Sequence, residues 1–138
     1  MKAEKCVIVL DDSLPAGVLA NTAAILGITL GKMLPGMVGR DVCDRSGRTH
    51  PGIIEFPVPI LRCPAEGLKN LREQLYGPGC GDVIAVDFSD LAQSCKNYAD
   101  FMEKMAAADG ASLSYLGLAL CGARRQVNHL TGSLPLLR

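Results

Sequence analysis

Tryptophan is absent from this chain of 138 residues, and aromatic residues make up only 4% of it. A stacking platform for single-stranded nucleic acid needs aromatic faces, so that class of binding site is excluded. A charge excess of either sign is also missing: Lys+Arg 14 balances Asp+Glu 14. No general attraction to a phosphate backbone follows, and nucleic acid is not an expected partner. No two of the six cysteines form a C-x-x-C pair, which removes the zinc-ribbon and thioredoxin-like readings. G-x-G-x-x-G, Walker, G-x-S-x-G and H-E-x-x-H patterns are all absent. The apolar run Val7–Leu10 is too short for the core of a secretory signal. A cytoplasmic location with free thiols is therefore expected.

Charge is also missing locally, and this absence is the most informative. From Ser13 to Gly31 no side chain is charged. The surrounding stretch, KCVIVLDDSLPAGVLANTAAILGITLGK over residues 5–32, reads as a strand, an acidic turn and a long helix. A helix apolar all round must be covered on more than one side. The expectation is a central helix with one face on the sheet and the other on a second body. Pro15, Asn21 and the directly preceding strand make a soluble helix a better reading than a membrane span. Hydrophobic residues reach 49%, enough for one compact domain over residues 1–138.

The rest of the chain alternates. A first strand over Lys5–Leu10 is followed by the helix to about Lys32, an irregular stretch over 37–56, and a second strand over Val58–Arg62 that its prolines push to an edge. Pro64 opens a helix over Ala65–Tyr76, with Leu68, Leu71 and Leu75 on one face. A third strand, Asp82–Phe88, leads into a helix to about Ala108 with an apolar stripe of Leu91, Cys95, Tyr98, Met102 and Met105. A fourth strand spans Ser114–Cys121. Such alternation predicts a three-layer α/β/α sandwich on a small, mostly parallel or mixed sheet of roughly four or five strands. Ligands in such sheets sit off the carboxyl ends of the strands. Those ends are Asp11–Asp12, the loop after Arg62, Asp87–Phe88 and Gly122–Arg125.

Candidate chemistry gathers at a few positions. Asp11 and Asp12 follow the first strand; either caps the helix, or Asp12 serves as a base. Asn21 is the one amide in the apolar helix and, if buried, needs partners; it contacts either a ligand or a loop. Thr22 is expected to bond back to its own turn. Asp41, Asp44 and His50 share the irregular loop with Cys43, in a spacing that matches no standard zinc site. They form a turn held by carboxylate–backbone bonds, or a polar pocket in which His50 acts as acid or base. Arg124 and Arg125, with His129, are the one basic cluster; they bind a phosphate or carboxylate, or lie on a solvated hairpin. Cys80 lies in a loop, and the other five cysteines read as core or near-core. No metal or cofactor is expected.

Two stretches carry a family resemblance. KCVIVLDDSLPAGVLANTAAILGI resembles the opening of type II peptidyl-tRNA hydrolases, with a K-x-V-x-V strand, an acidic turn and an L-x-x-G-x-x-A helix. The end, VNHLTGSLPLLR, is similar to that superfamily's closing turn, Thr-Gly and final apolar strand. The middle, GRDVCDRSGRTHPGIIEFPVPIL, resembles an uncharacterised bacterial family, domain of unknown function 2000, which shares that fold. The resemblance implies an α/β/α fold and a homodimer, formed through the uncharged helix or a sheet edge. It does not carry the hydrolase activity over intact. Val18 stands where the hydrolases have a basic residue after the helix glycine, and Ala23–Ala24 occupy the region of their histidine. The favoured function is binding of a small anionic ligand near Asp12, Asn21, Asp44, His50, Arg124 and Arg125. The alternatives are a hydrolase with Asp12 or His50 as base, and a dimeric interaction module.

Overall fold

The unbroken apolar run after Lys5 forms the centre of the fold. In the computed structural model, which describes residues 3–138, β1 spans Lys5–Asp11 and is buried from Cys6 onward. Its side chains alternate as a pleated strand requires. Cys6, Ile8 and Leu10 enter one core and Val7 and Val9 the other. The helix α1, Ala16–Met33, lies against the first of these. The chain continues through a 3-10 turn at Pro35–Met37 and an exposed hairpin, β2 at Val42–Cys43 and β3 at Thr49–His50. Gly52 closes this excursion. A Cβ at that position would overlap the Gly39 carbonyl, so a side chain is excluded by the close chain approach.

Next come β4 at Ile60–Cys63, α2 at Ala65–Tyr76 and β5 at Ile84–Ser89. α3 at Asp90–Ser94 and α4 at Tyr98–Ala107 follow, then β6 at Tyr115–Gly122 and α5 at Arg124–Thr131. The result is a mixed α/β fold with a four-stranded sheet, order β4-β1-β6-β5, and five α-helices among the described residues. β4 runs parallel to β1, and β6 is antiparallel to both β1 and β5. Leu68, Leu71 and Leu75 of α2 and Val127 of α5 fill the core on the face opposite α1.

Several expectations need correction. The third helical stretch is two helices. Asn97 accepts a hydrogen bond from the Asp100 amide and caps a new start, so the helix breaks after Ser94. Tyr98 and Met102 of the expected stripe are exposed. That connection stays at one end of the sheet instead of crossing it, which makes β5 and β6 antiparallel neighbours. The tail after Gly122 is the helix α5, not a hairpin. Its end then pairs with β4: Leu136 bridges Leu61, and the Arg62 amide donates to Pro135. The outer edge of β4 is thereby covered.

The cysteine reading also changes. Cys6 and Cys121 face one another across β1 and β6 and form a fully buried disulfide, with the Met37 sulfur 3.4 Å and 3.5 Å from their sulfurs. The other four cysteines are free, and Cys43 is exposed, not near the core. Thr22 does not bond back to its own turn; its hydroxyl is buried without a hydrogen-bond partner. The second body expected over α1 is not supplied by the described residues. Only Thr22, Leu26 and Leu30 are buried, and Asn21 is exposed.

Candidate functional site

β1 and β4 are parallel neighbours, yet their outgoing helices take opposite faces: α1 packs in one core and α2 in the other. Adjacent strands whose connections part in this way leave a crevice at their carboxyl ends. A cavity of about 710 Å³ lies there. Asp12 enters it from the end of β1, Leu19 from α1 and Arg62 from β4. The tail closes it with Pro135, Leu136, Leu137 and Arg138. The tail is held antiparallel along β4 by the Arg62 amide donating to Pro135 and the Leu137 amide donating to Ile60.

The electrostatics are mixed but ordered. Arg62 Nη1 is 3.3 Å from Asp12 Oδ2, a half-exposed pair. Arg138 makes no side-chain ion pair among the described residues. Asp11 is occupied locally, accepting hydrogen bonds from the amide and hydroxyl of Ser13 at 3.0 Å and 2.7 Å. Neither aspartate caps α1. Pro15 stands at its N-cap with no side-chain hydrogen bond and no acidic residue in the first turn. Pro64 occupies the same place in α2, again without a side-chain cap. The start of α1 therefore keeps free amides and a partial positive charge, whereas Glu66 in the first turn of α2 offsets that charge there. Cys63 lies buried at the end of β4. Burial, then the charges of Asp12 and Asp11, push its thiol above the ordinary range.

The other expected site residues do not converge here. Asp44 organises the β2–β3 turn: it accepts from the amides of Ser46 and Arg48 at 2.9 Å and 3.1 Å, and lies 2.8 Å from His50 Nε2. Those bonds, that of His50 first, hold its carboxyl below the usual range. Asp41 accepts from the Gly52 amide. This is a stabilised turn rather than a pocket. Asp12 and His50, the two alternative bases, share no hydrogen bond and no cavity. Asn21 lies on the exposed side of α1. Arg124 and Arg125 start α5 at the opposite end of the sheet, since Lys5 pairs with Gly122. Arg125 and His129 border a second cavity of about 530 Å³ with Gly79 and Cys80, and the Arg124 amide donates to Glu4. Among the described residues no group of three or more His, Cys, Asp or Glu side chains could hold a metal ion.

The profile of a family described as "Protein of unknown function (DUF2000)" matches residues 4–138. This chain belongs to that family. Among solved structures, the DUF2000 chain is similar to a protein of unknown function from Agrobacterium tumefaciens strain C58. The TM-score is 0.87 at 17% identity, with 100% of each chain covered. That likeness carries the fold alone. A comparison with curated proteins gives no match.

Arg62 and Arg138 were not among the residues singled out from sequence. A usable signal existed for Arg62: it interrupts an apolar strand beside a carboxyl end where ligands collect. Arg138 carried none, because its place depends on the tail folding back along β4.

Proposed function

We propose that this DUF2000 chain binds a small anionic ligand in the crevice between β1 and β4. The observation that carries the reading is the crevice itself. Arg62 and Arg138 line it together with the Asp12 carboxylate, and α1, which follows Asp12 in the chain, starts without a side-chain cap or an acidic residue in its first turn. Guanidinium forks suit phosphate or carboxylate oxygens, and free helix amides add to that preference. Leu19, Leu136 and Leu137 give the cavity apolar walls for a ligand's carbon body.

The type II peptidyl-tRNA hydrolase likeness rests on the opening and closing residue patterns, and a hydrolase role comes second to binding. Val18 supplies no cation, Cys63 is held as a thiol, and no histidine lines the crevice.

The test is thermal shift with phosphate, pyrophosphate and citrate, on the wild type and on Arg62→Ala/Arg138→Ala. A ligand at about a hundred times its Kd stabilises by about 2.7 kcal/mol. The expected result is a shift with at least one anion that disappears in the double variant and persists in Arg125→Ala. No shift with any anion, or a shift lost only in Arg125→Ala, overturns the assignment.

A further inference from the structure

We propose that Cys6, Cys121 and Met37 form a three-sulfur site for copper(I) once the disulfide between the two cysteines is reduced. Soft donors from distant parts of the chain meet at one point. Cys6 and Cys121 are register partners on β1 and β6, with their side chains on the α1 face of the sheet. Met37 ends the 3-10 turn that follows α1, and its sulfur stands 3.4 Å from Cys6 Sγ and 3.5 Å from Cys121 Sγ. The thioether is nearly equidistant from the two sulfurs, so it lies over the pair and not beside one member of it. The backbone fixes it there: the Met37 amide donates to Leu34, and its carbonyl accepts from the Glu55 amide.

The dimensions suit a metal ion. A metal–thiolate bond is about 2.3 Å long, so three sulfurs around one ion in a plane stand about 4 Å apart. Met37 has to withdraw by only roughly half an ångström to reach that spacing. Opening the S–S bond supplies the rest, because the two cysteine sulfurs then pass from bonding distance to non-bonded contact.

The donor set selects the ion. Thiolate and thioether sulfur are soft ligands that favour copper(I). Structural zinc takes four nitrogen or sulfur ligands, and the neighbours in this core, Ile8, Leu26, Leu30, Phe88 and Ala119, offer no fourth. Copper(I) held by one thiolate, one thiol and one thioether carries no net charge, which suits apolar surroundings. A route from solvent exists. Met37 borders two open cavities, of about 460 Å³ and 410 Å³, and the half-exposed Met33 stands on the wall of the first.

The chemistry balances with a dithiol as reductant. It delivers two electrons and two protons to the disulfide, becomes a disulfide itself, and leaves two thiols on the chain. Copper(I) then displaces one thiol proton to solvent and keeps its oxidation state. The oxidised chain has no thiolate to offer, so binding follows the redox state of the surroundings. The crevice arginines take no part.

The test uses the full chain with its free cysteines outside the core replaced, Cys43→Ser, Cys80→Ser and Cys95→Ser, reduced with dithiothreitol under nitrogen and desalted. Copper(I) is titrated against bicinchoninate, and the bound metal is read by X-ray absorption. The expected result is one copper(I) per chain with three sulfur neighbours at about 2.3 Å, and no copper(I) on the unreduced protein. Met37→Leu conserves volume; it is expected to keep the circular dichroism spectrum and to bind more weakly, with two sulfur neighbours. Cys121→Ala is expected to lose the metal to bicinchoninate. Reduced protein that keeps no copper(I), copper(I) with nitrogen or oxygen neighbours, or an unchanged affinity and sulfur count in Met37→Leu overturns the proposal. So does copper(I) retained by Cys121→Ala, which assigns the metal to the remaining thiol, Cys63.

Discussion

Replacing Thr22 by Val should make this protein more stable, while the same replacement at Thr131 should make it less so. Both threonines are helical and at most 2% exposed. The Thr131 hydroxyl donates to the Val127 carbonyl at 2.7 Å, whereas the Thr22 hydroxyl has no partner. Thr22 sits where α1 crosses the sheet, its methyl 2.9 Å from where a Cβ on Gly117 would stand. A buried hydroxyl without a partner costs about 1–3 kcal/mol. Val has nearly the same shape and helix propensity, so that penalty is removed with little else changed. A gain of about 1 kcal/mol is expected at Thr22, and a loss of about 1 kcal/mol at Thr131, where a made bond disappears. With about 2.1 cal/mol/K per residue, the unfolding entropy of the chain is about 0.3 kcal/mol/K. Each change then moves Tm by roughly 3–4 °C, in opposite directions. Calorimetry on the two variants, in parallel with the wild type, reads both shifts. A fall in Tm for Thr22→Val would refute the reasoning, because it would mean that the hydroxyl is satisfied by a buried water or a partner subunit.

Other consequences can be measured in the same protein. Gly117→Ala should destabilise by about 1–3 kcal/mol, because the new methyl would press on Leu10, Thr22 and Leu26 at 2.7–3.1 Å; an unchanged urea midpoint would show that α1 lifts off the sheet easily. Thiol titration in denaturant without reductant should count four thiols, not six. In the native protein Cys43 should react first and Cys63 hardly at all; fast Cys63 modification would contradict its burial. Because the folded pKa of Asp44 is depressed, its contribution is present above the unfolded value of 3.8 and is lost as pH falls through the lower folded value. His50→Ala should move the Asp44 titration, followed by NMR, upward toward 3.8; an unmoved curve would leave the Arg48, Ser46 and Gly47 amides as the whole cause.

The strands and most helices were legible because their signals are local. Periodicity marks α2 to the residue, Ala65–Tyr76, and the unbroken apolar runs mark β1 and β6 as strands buried on both faces. The break between α3 and α4 was written in Asn97, a cap residue inside an otherwise helical stripe. The start of α5 was obscured because Arg124, Arg125 and Gln126 look like a solvated turn until the single stripe through Val127 and Leu130 is set against the core.

By itself the sequence determined most of the element types, the apolar central strands, the uncharged helix and the absence of standard catalytic and metal motifs. Each follows from residue type at short spacing. Only the tertiary structure decided which distant residues meet. Strand order separates Arg124 from Asp12 by the length of the sheet, and the fold-back of the tail brings Arg138 into the lining of the same cavity as Arg62. Register sets Cys6 opposite Cys121 across a separation of 115 residues. Periodicity is imprinted in a stretch of a few residues, whereas pairing between strands is settled by the burial that the whole sheet achieves, and no short window of the chain contains it.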